Sequence, residues 1–220
     1  MDTGPVNSAT NHLRPTRIGV FGGSFNPIHN GHIRAVNLFM DRLRLDETLL
    51  VPSGAPFYKR TYAVPFEHRY RMCQLAAQEL PGVSVSDVEE NHVSGMYSCD
   101  MLAAVKRLHP DAELFFLVGS DVYERVPVWK GIRRIAELAT FAAIVRTGNA
   151  GAASRMFTLT ETAELLKKYG ARTVFIQGGR PLSSTAVRAE AEQRRSLDGL
   201  VPAVVADYIR EHHLYAREGA

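Results

Sequence analysis

Between Ile18 and Leu43 the hydrophobic period of this chain changes once, at a glycine pair. Ile18–Phe21 is a short apolar run, as in a strand buried on both faces, and it stops at Gly22-Gly23. Beyond Pro27, the residues Ile33, Val36, Met40 and Leu43 recur at helical spacing with Asn30 ahead of them as N-cap, so a helix is expected from near Gly31. A strand feeding a helix through a glycine loop is the opening unit of a parallel sheet, because parallel neighbours need a crossover and crossovers are right-handed.

The alternation then repeats. Thr48–Val51, Val83–Val88, Leu114–Val118, Phe141–Val145 and Val174–Ile176 read as strands. Pro65–Leu80, Ser98–Leu108, segments leading to Ala139, Glu161–Tyr169 and the stretch after Ser184 read as helices, and Gly- and Ala-rich Thr147–Ser154 reads as a surface loop. Pro202–Leu214 presents Val204, Val205, Tyr208, Ile209 and His212 as one face of a docking helix. The expected architecture is α/β: a Rossmann-like doubly wound parallel sheet, helices on both faces, and a small C-terminal helical segment. Residues 1–16 are polar, carry Pro5 and Pro15, and read as a flexible N-terminal tail, leaving 17–220 as one domain.

Composition removes several classes. With 45% hydrophobic and 22% charged residues, disorder and fibrous architectures are excluded. No run approaches the roughly 18 apolar residues of a membrane span, so no membrane is expected. Cys73 and Cys99 have neither disulfide-framework nor metal-ligand spacing, which suits a cytoplasmic protein without a metal site of its own. A net charge of +3, with Arg pairs inside amphipathic segments, favours small anionic substrates over a nucleic-acid polymer. Oligomeric state stays open.

The chemistry concentrates in Gly22-Gly23-Ser24-Phe25-Asn26-Pro27-Ile28-His29-Asn30-Gly31-His32. Glycines let amides approach an anion, and a helix start adds unsatisfied N–H groups and a positive dipole end, which makes a phosphate cradle. His29 and His32 bracket that helix start and can aim donors at a transferring phosphoryl group. The loop is neither a Gly-x-Gly-x-x-Gly fingerprint nor a Walker loop, which argues against hydride transfer. A zinc site would need a further ligand that the sequence does not offer nearby.

His29-Asn30-Gly31-His32 resembles the His-x-Gly-His signature of a nucleotidyltransferase superfamily, and Leu182-Ser183-Ser184-Thr185-Ala186-Val187-Arg188 resembles its Ile-Ser-Ser-Thr-x-Ile-Arg signature. Through Pro56-Phe57-Tyr58-Lys59, Tyr97-Ser98-Cys99-Asp100, Gly119-Ser120-Asp121 and Trp129, the chain is most similar to bacterial nicotinate-nucleotide adenylyltransferases, from about Arg17 to Tyr215. The ending, Tyr-Ile-Arg-Glu-His-His-Leu-Tyr, also looks like theirs. In three places the chain departs from the family pattern: Asn26 stands for an Asp, Phe57-Tyr58 for Pro-His, and Ser98 for a Thr.

The resemblance implies an adenylyltransferase that joins nicotinate mononucleotide to the AMP half of ATP, releases pyrophosphate and forms deamido-NAD, with Mg²⁺ arriving on ATP. It implies His29, His32, Lys59 and Arg188 as the groups that neutralise the transferring phosphate. ATP would be bound by Gly22, Gly23, Ser24, Phe25, His32, Gly119, Asp121, Ser183, Ser184, Thr185 and Arg188. The mononucleotide would meet Asn26, Lys59, Tyr97, Ser98 and Trp129. From the residues alone, Arg188 could instead pair with Glu192, Trp129 could be a core anchor, Lys59 a solvated cation and Asp121 a helix cap. A sibling transferase acting on nicotinamide mononucleotide or phosphopantetheine shares both signatures. A nucleotide-sensing protein without turnover would keep the same pocket.

Overall fold

Six strands, β1 (Arg17–Gly23), β2 (Glu47–Pro52), β3 (Val83–Val85), β4 (Glu113–Gly119), β5 (Ala139–Val145) and β6 (Thr173–Gln177), pair in parallel in the order β3-β2-β1-β4-β5-β6. They belong to a computed structural model describing residues 14–54, 64–90, 96–145, 152–178 and 182–216. The helices are α1 (Asn30–Leu43), α2 (Phe66–Ala77), α3 (Ser98–Leu108), α4 (Ser120–Tyr123), α5 (Ile132–Leu138), α6 (Ala152–Lys167), α7 (Ser184–Glu192) and α8 (Ala203–Glu211), with a 3-10 turn at Val126–Val128.

The continuous apolar strands are explained by burial on both faces. Leu114, Phe116 and Val118 of β4 pack on one face with Met101, Leu102 and Val105 of α3, Ile135 of α5 and Leu159 of α6. The intervening Phe115 and Leu117 pack on the other face with Ala35, Phe39 and Leu43 of α1. On that second face Leu50 of β2 joins Met72, Cys73 and Ala76 of α2, Val187 of α7, and Val205, Ala206 and Ile209 of α8. The sheet is therefore doubly wound, as its sequence pattern predicts.

The strand order reverses its direction of growth between β1 and β4, and the pairing shows a crevice there. β1 stays in register with β2 to Gly23↔Pro52, and β4 with β5 to Gly119↔Ile144. The β1–β4 ladder stops at Val20↔Phe116, so these central strands part before either ends. Open parallel sheets bind ligands at such a switch point, beyond the carboxyl ends of the strands.

Several boundaries differ from expectation. Strand β3 covers Val83–Val85 only, followed by a bond from the Ser86 N–H to the Leu50 carbonyl; it is an edge strand that leaves the sheet early, so Val88 lies beyond it. Helix α6 begins at Ala152, inside the stretch expected to be loop, because alanines favour helix whereas the glycines before them do not; residues 146–151 lie outside the described residues. Ala139 opens β5 instead of ending a helix. In α8 the buried face is Val205, Ala206 and Ile209, whereas His212 is the exposed C-cap, its ring 4.2 Å from that of Tyr208. Of the expected tail, 1–13 lies outside the described residues, but Arg14 makes two hydrogen bonds to Asp46 and the Thr16 carbonyl accepts from the Glu113 N–H. Among the described residues no helix is long and apolar enough to cross a membrane.

Gly131 marks the tightest junction between α3 and α5. Its φ is +73° where it caps α5, and a Cβ there would lie 2.6 Å from Cys99 Sγ. Gly131→Ala is expected to cost at least about 2 kcal/mol, combining left-handed backbone strain with overpacking. A urea midpoint equal to that of the wild type would contradict this packing.

Candidate active site

The loop that leaves β1 is held tightly from behind. The Gly23 carbonyl accepts from the Ser53 N–H at 2.8 Å, which continues the β1–β2 edge into the loop. Phe25 sits at φ +43°, a costly conformation for a bulky residue, and its ring is buried beneath the loop in the cluster containing Ile28, Val36 and Val187. Phe25 was expected among the ATP contacts. Its ring is core, 1% exposed, and what it offers the site is an edge-on contact to His32 at 5.1 Å and its backbone.

Helix α1 starts one residue earlier than expected, and its N-cap is His29 rather than Asn30. The His29 Nδ1 accepts from the His32 N–H and the His32 Nδ1 accepts from the His29 N–H, each at 3.2 Å. This is a capping box made of imidazoles, with the rings stacked 3.6 Å apart and 13° from parallel. With both Nδ1 atoms accepting, a neutral imidazole carries its proton on Nε2, so both rings take the tautomer that donates from the far nitrogen. His29 is buried and His32 is half-buried. Asn30 instead anchors the helix start, its Nδ2 donating to the Gly199 carbonyl and its N–H to the Leu200 carbonyl. A Cβ on Gly31 would lie 3.0 Å from the His29 ring and 3.2 Å from Leu182 Cβ, so the glycine is what lets the second signature approach.

The structure brings that second signature against the first. Ser183 caps α7 by accepting from the Ala186 N–H, and the Ser184 Oγ donates to the Pro27 carbonyl at 3.0 Å. Arg188 donates to the Asn26 carbonyl at 2.8 Å and to Thr185 Oγ1 at 3.1 Å, in place of the Glu192 pairing that the sequence left open. Each of the two serine hydroxyls, expected on ATP, also makes a bond to the scaffold, and the Ser183 O–H keeps its own proton to donate. The amides of α7's first turn, the Ser183 hydroxyl and the Arg188 cation are what this segment can present to an anion.

The other expected residues line the β4 side of the crevice. Gly119 caps α4, and the Asp121 carboxylate folds back to 3.0 Å from where a Gly119 Cβ would be; Asp121 is therefore inside the first turn and is not the cap. Tyr97 is the N-cap of α3, directly before Ser98, with the Lys130 Nζ 4.1 Å above its ring. Trp129 is half-buried, 6.1 Å from Phe116. A Cβ on Gly22 would lie 3.5 Å from Met101 Cε, which places the end of β1 beside α3. Pro56, Phe57, Tyr58 and Lys59 lie outside the described residues. Among the described residues no group of three or more His, Cys, Asp or Glu is placed to hold a metal ion.

Three residues at the back of the loop escaped the sequence reading. Arg69 is 1% exposed and donates to the carbonyls of Ser24 at 2.8 Å, Gly54 at 3.2 Å and Val64 at 3.3 Å. Its signal was available: residues 69, 72, 73 and 76 form one helical face, so the arginine occupies a core position beside Met72, Cys73 and Ala76. Glu89 accepts from the Gly54 N–H at 3.1 Å, and burial pushes its carboxyl up to about 7 despite that bond and the nearby Arg69 cation. Tyr215 donates to Asn26 Oδ1 at 2.7 Å; burial pushes its phenol up, against the pull of Arg188 and Arg69, so it serves as a neutral donor. Asn26, expected on the mononucleotide, is 7% exposed and braced by Tyr215.

The cytidylyltransferase-like family profile matches residues 20–190. A probable nicotinate-nucleotide adenylyltransferase of Clavibacter michiganensis is 38% identical over 199 residues, covering 90% of this chain and 94% of the relative. One from Mycobacterium tuberculosis is 37% identical over 202 residues, covering 90% and 91%. The solved structure of Plasmodium falciparum nicotinic acid mononucleotide adenylyltransferase complexed with NaAD superposes with a TM-score of 0.71 at 21% identity, covering 91% of this chain and 97% of that one, and shares the fold.

Glu89 makes stability pH-dependent with a defined sign. Its folded carboxyl holds a proton up to about 7, while an ordinary one loses it near 4.5, so between those values the folded chain binds more protons. The stability this supplies is complete below 4.5 and is lost as pH rises through about 7. The Tm of the wild type relative to Glu89→Gln should therefore fall between about pH 5 and pH 8. A difference constant across that range would show a carboxyl that ionises as if exposed.

Proposed function

This chain belongs to the nicotinate-nucleotide adenylyltransferase family, within the cytidylyltransferase-like group, and we propose that it joins nicotinate mononucleotide to the AMP moiety of ATP. One observation carries the reading: two helix starts, α1 with its stacked histidines and α7 with Arg188, touch each other through Ser184–Pro27 and Arg188–Asn26 at the carboxyl end of β1.

In the proposed reaction a phosphate oxygen of the mononucleotide attacks the α-phosphorus of ATP in line. A P–O bond forms as the bond to the β-phosphate oxygen breaks, pyrophosphate leaves with that electron pair, and deamido-NAD is the product. No side chain is adenylylated on the way. The work left to the protein is alignment of two anionic substrates and neutralisation of charge on the transferring group. The Nε2–H donors of His29 and His32, set by the reciprocal cap, would meet the phosphate oxygens. Arg188 would add charge next to them, while Gly22 to Ser24 and the first turn of α7 would supply amides. Mg²⁺ would enter on the triphosphate; Asn26, a neutral amide whose oxygen is taken by Tyr215, is a poor ligand for it. Gly119 and Asp121 would border the nucleotide, and Trp129 with Tyr97 and Ser98 the pyridine ring, for which a half-buried indole beside an aromatic cluster is suited. Lys59 is proposed as a further phosphate contact from the sequence resemblance.

Pyrophosphate release from ATP, followed in parallel with nicotinate mononucleotide, its amide and phosphopantetheine, tests the assignment. Nicotinate mononucleotide should be strongly preferred. Equal or faster turnover of the amide or of phosphopantetheine would replace the substrate, and nucleotide binding without release would make the protein a sensor. His32→Ala should lower turnover on the order of 100-fold by removing one preorganised donor. A rate near wild type in steady-state kinetics would take His32 out of the mechanism.

A further inference from the structure

A buried guanidinium is an expensive thing to place in a helix face otherwise made of Met72, Cys73 and Ala76, and it persists only where its donors are met. The donors of Arg69 go to three backbone carbonyls that belong to separate segments: Ser24 in the glycine loop, Gly54 beyond β2 and Val64 ahead of α2. The Ser24–Phe25 peptide is trans, so its carbonyl and its N–H point in opposite directions. A Ser24 carbonyl drawn back onto Arg69 therefore turns the Phe25 N–H away from α2. The Gly23 carbonyl, held by the Ser53 N–H, does the same for the N–H of Ser24. Successive amides turned one way beside a left-handed residue form the kind of concavity that receives anions, and Phe25 at φ +43° is the residue whose strain must be offset to keep it.

We propose that Arg69 is a positioning residue for the reaction: by holding the Ser24 carbonyl, together with Gly54 and Val64, it fixes the orientation of the loop amides that receive phosphate. It touches no substrate itself. The proposal rests on the reading of the loop as the phosphate site, but its structural half can be measured without turnover.

The test compares wild type with Arg69→Lys, which keeps the charge but cannot span three carbonyls, and with Arg69→Gln, which also removes the buried charge. Hydrogen exchange without ligand should be accelerated on the order of tenfold in peptides covering residues 22–26, the scale of a lost hydrogen bond, and unchanged in 139–145 of β5. In steady state kcat should fall on the order of 100-fold, with a smaller rise in KM for ATP. Wild-type exchange over 22–26, acceleration spread equally through the sheet, or failure of both variants to fold would each assign Arg69 to the core alone and overturn the proposal. If the wild type itself releases no pyrophosphate, the functional reading falls and the exchange comparison still decides the role of Arg69.

Discussion

The site depends on one reciprocal interaction, in which His29 and His32 each accept the other's backbone N–H through Nδ1. A helix start leaves amides in need of acceptors, and a hydroxyl or carboxylate would ordinarily satisfy them. Here imidazoles do so, which ties helix capping to chemistry: satisfying the cap fixes the ring orientation, the stack and the tautomer together. The donors at the far edges of the rings are then set by the backbone, so the proposed phosphate contacts would need no rotamer search. Gly31 is the counterpart, since a Cβ there would crowd the His29 ring at 3.0 Å and Leu182 at 3.2 Å.

The order of strands and helices was legible because apolar runs and helical periods alternate, and because a sheet buried on both faces leaves unmixed hydrophobic strands. Boundaries were less so where context overrides pattern. Val88 has strand character but no strand remaining to pair with at the sheet edge, and Ala152 is read as loop only because of the glycines ahead of it. His29, His32, Ser183, Ser184, Thr185 and Arg188 were legible as a group from two separated motifs, and the structure brings the two segments that carry them together. What the motifs did not disclose is the division of labour among them, since a serine that caps a helix and a serine that binds phosphate look alike in one dimension. Glu89 was illegible for a different reason, and Arg69 was passed over for the same one although its helical face marks it as core. Charged residues are assumed to face water, and only their burial and partners reveal otherwise.

The loop from Gly23 to Pro27 shows how the fold prepares a surface of amides. Its carbonyls are taken by groups from separate elements: Ser53 at the end of β2, Arg69 on α2, Arg188 and Ser184 on α7. Each bond is modest by itself, about 1 kcal/mol net for the neutral donors and about 2 for the two guanidinium groups. For the Gly23 and Ser24 carbonyls, held by Ser53 and Arg69, the effect is directional, because an engaged carbonyl turns the amide of the same trans peptide the other way. The bonds from Arg188 and Ser184 tie the loop to α7, and Pro27 has no N–H to aim. Burying Arg69 and Glu89 costs solvation, and in the proposed reading it is offset by loop dipoles aligned before any anion binds.

Tyr215 closes the last of these braces across 189 residues of sequence, from near the end of the chain to Asn26 in its first folded loop. During synthesis the Rossmann sheet can assemble strand by strand, but this bond waits until residue 215 has left the ribosome. A nascent chain can therefore own its sheet before it owns a finished loop. The brace on Asn26 is thus added to a sheet already built, by a residue 189 positions further along the chain.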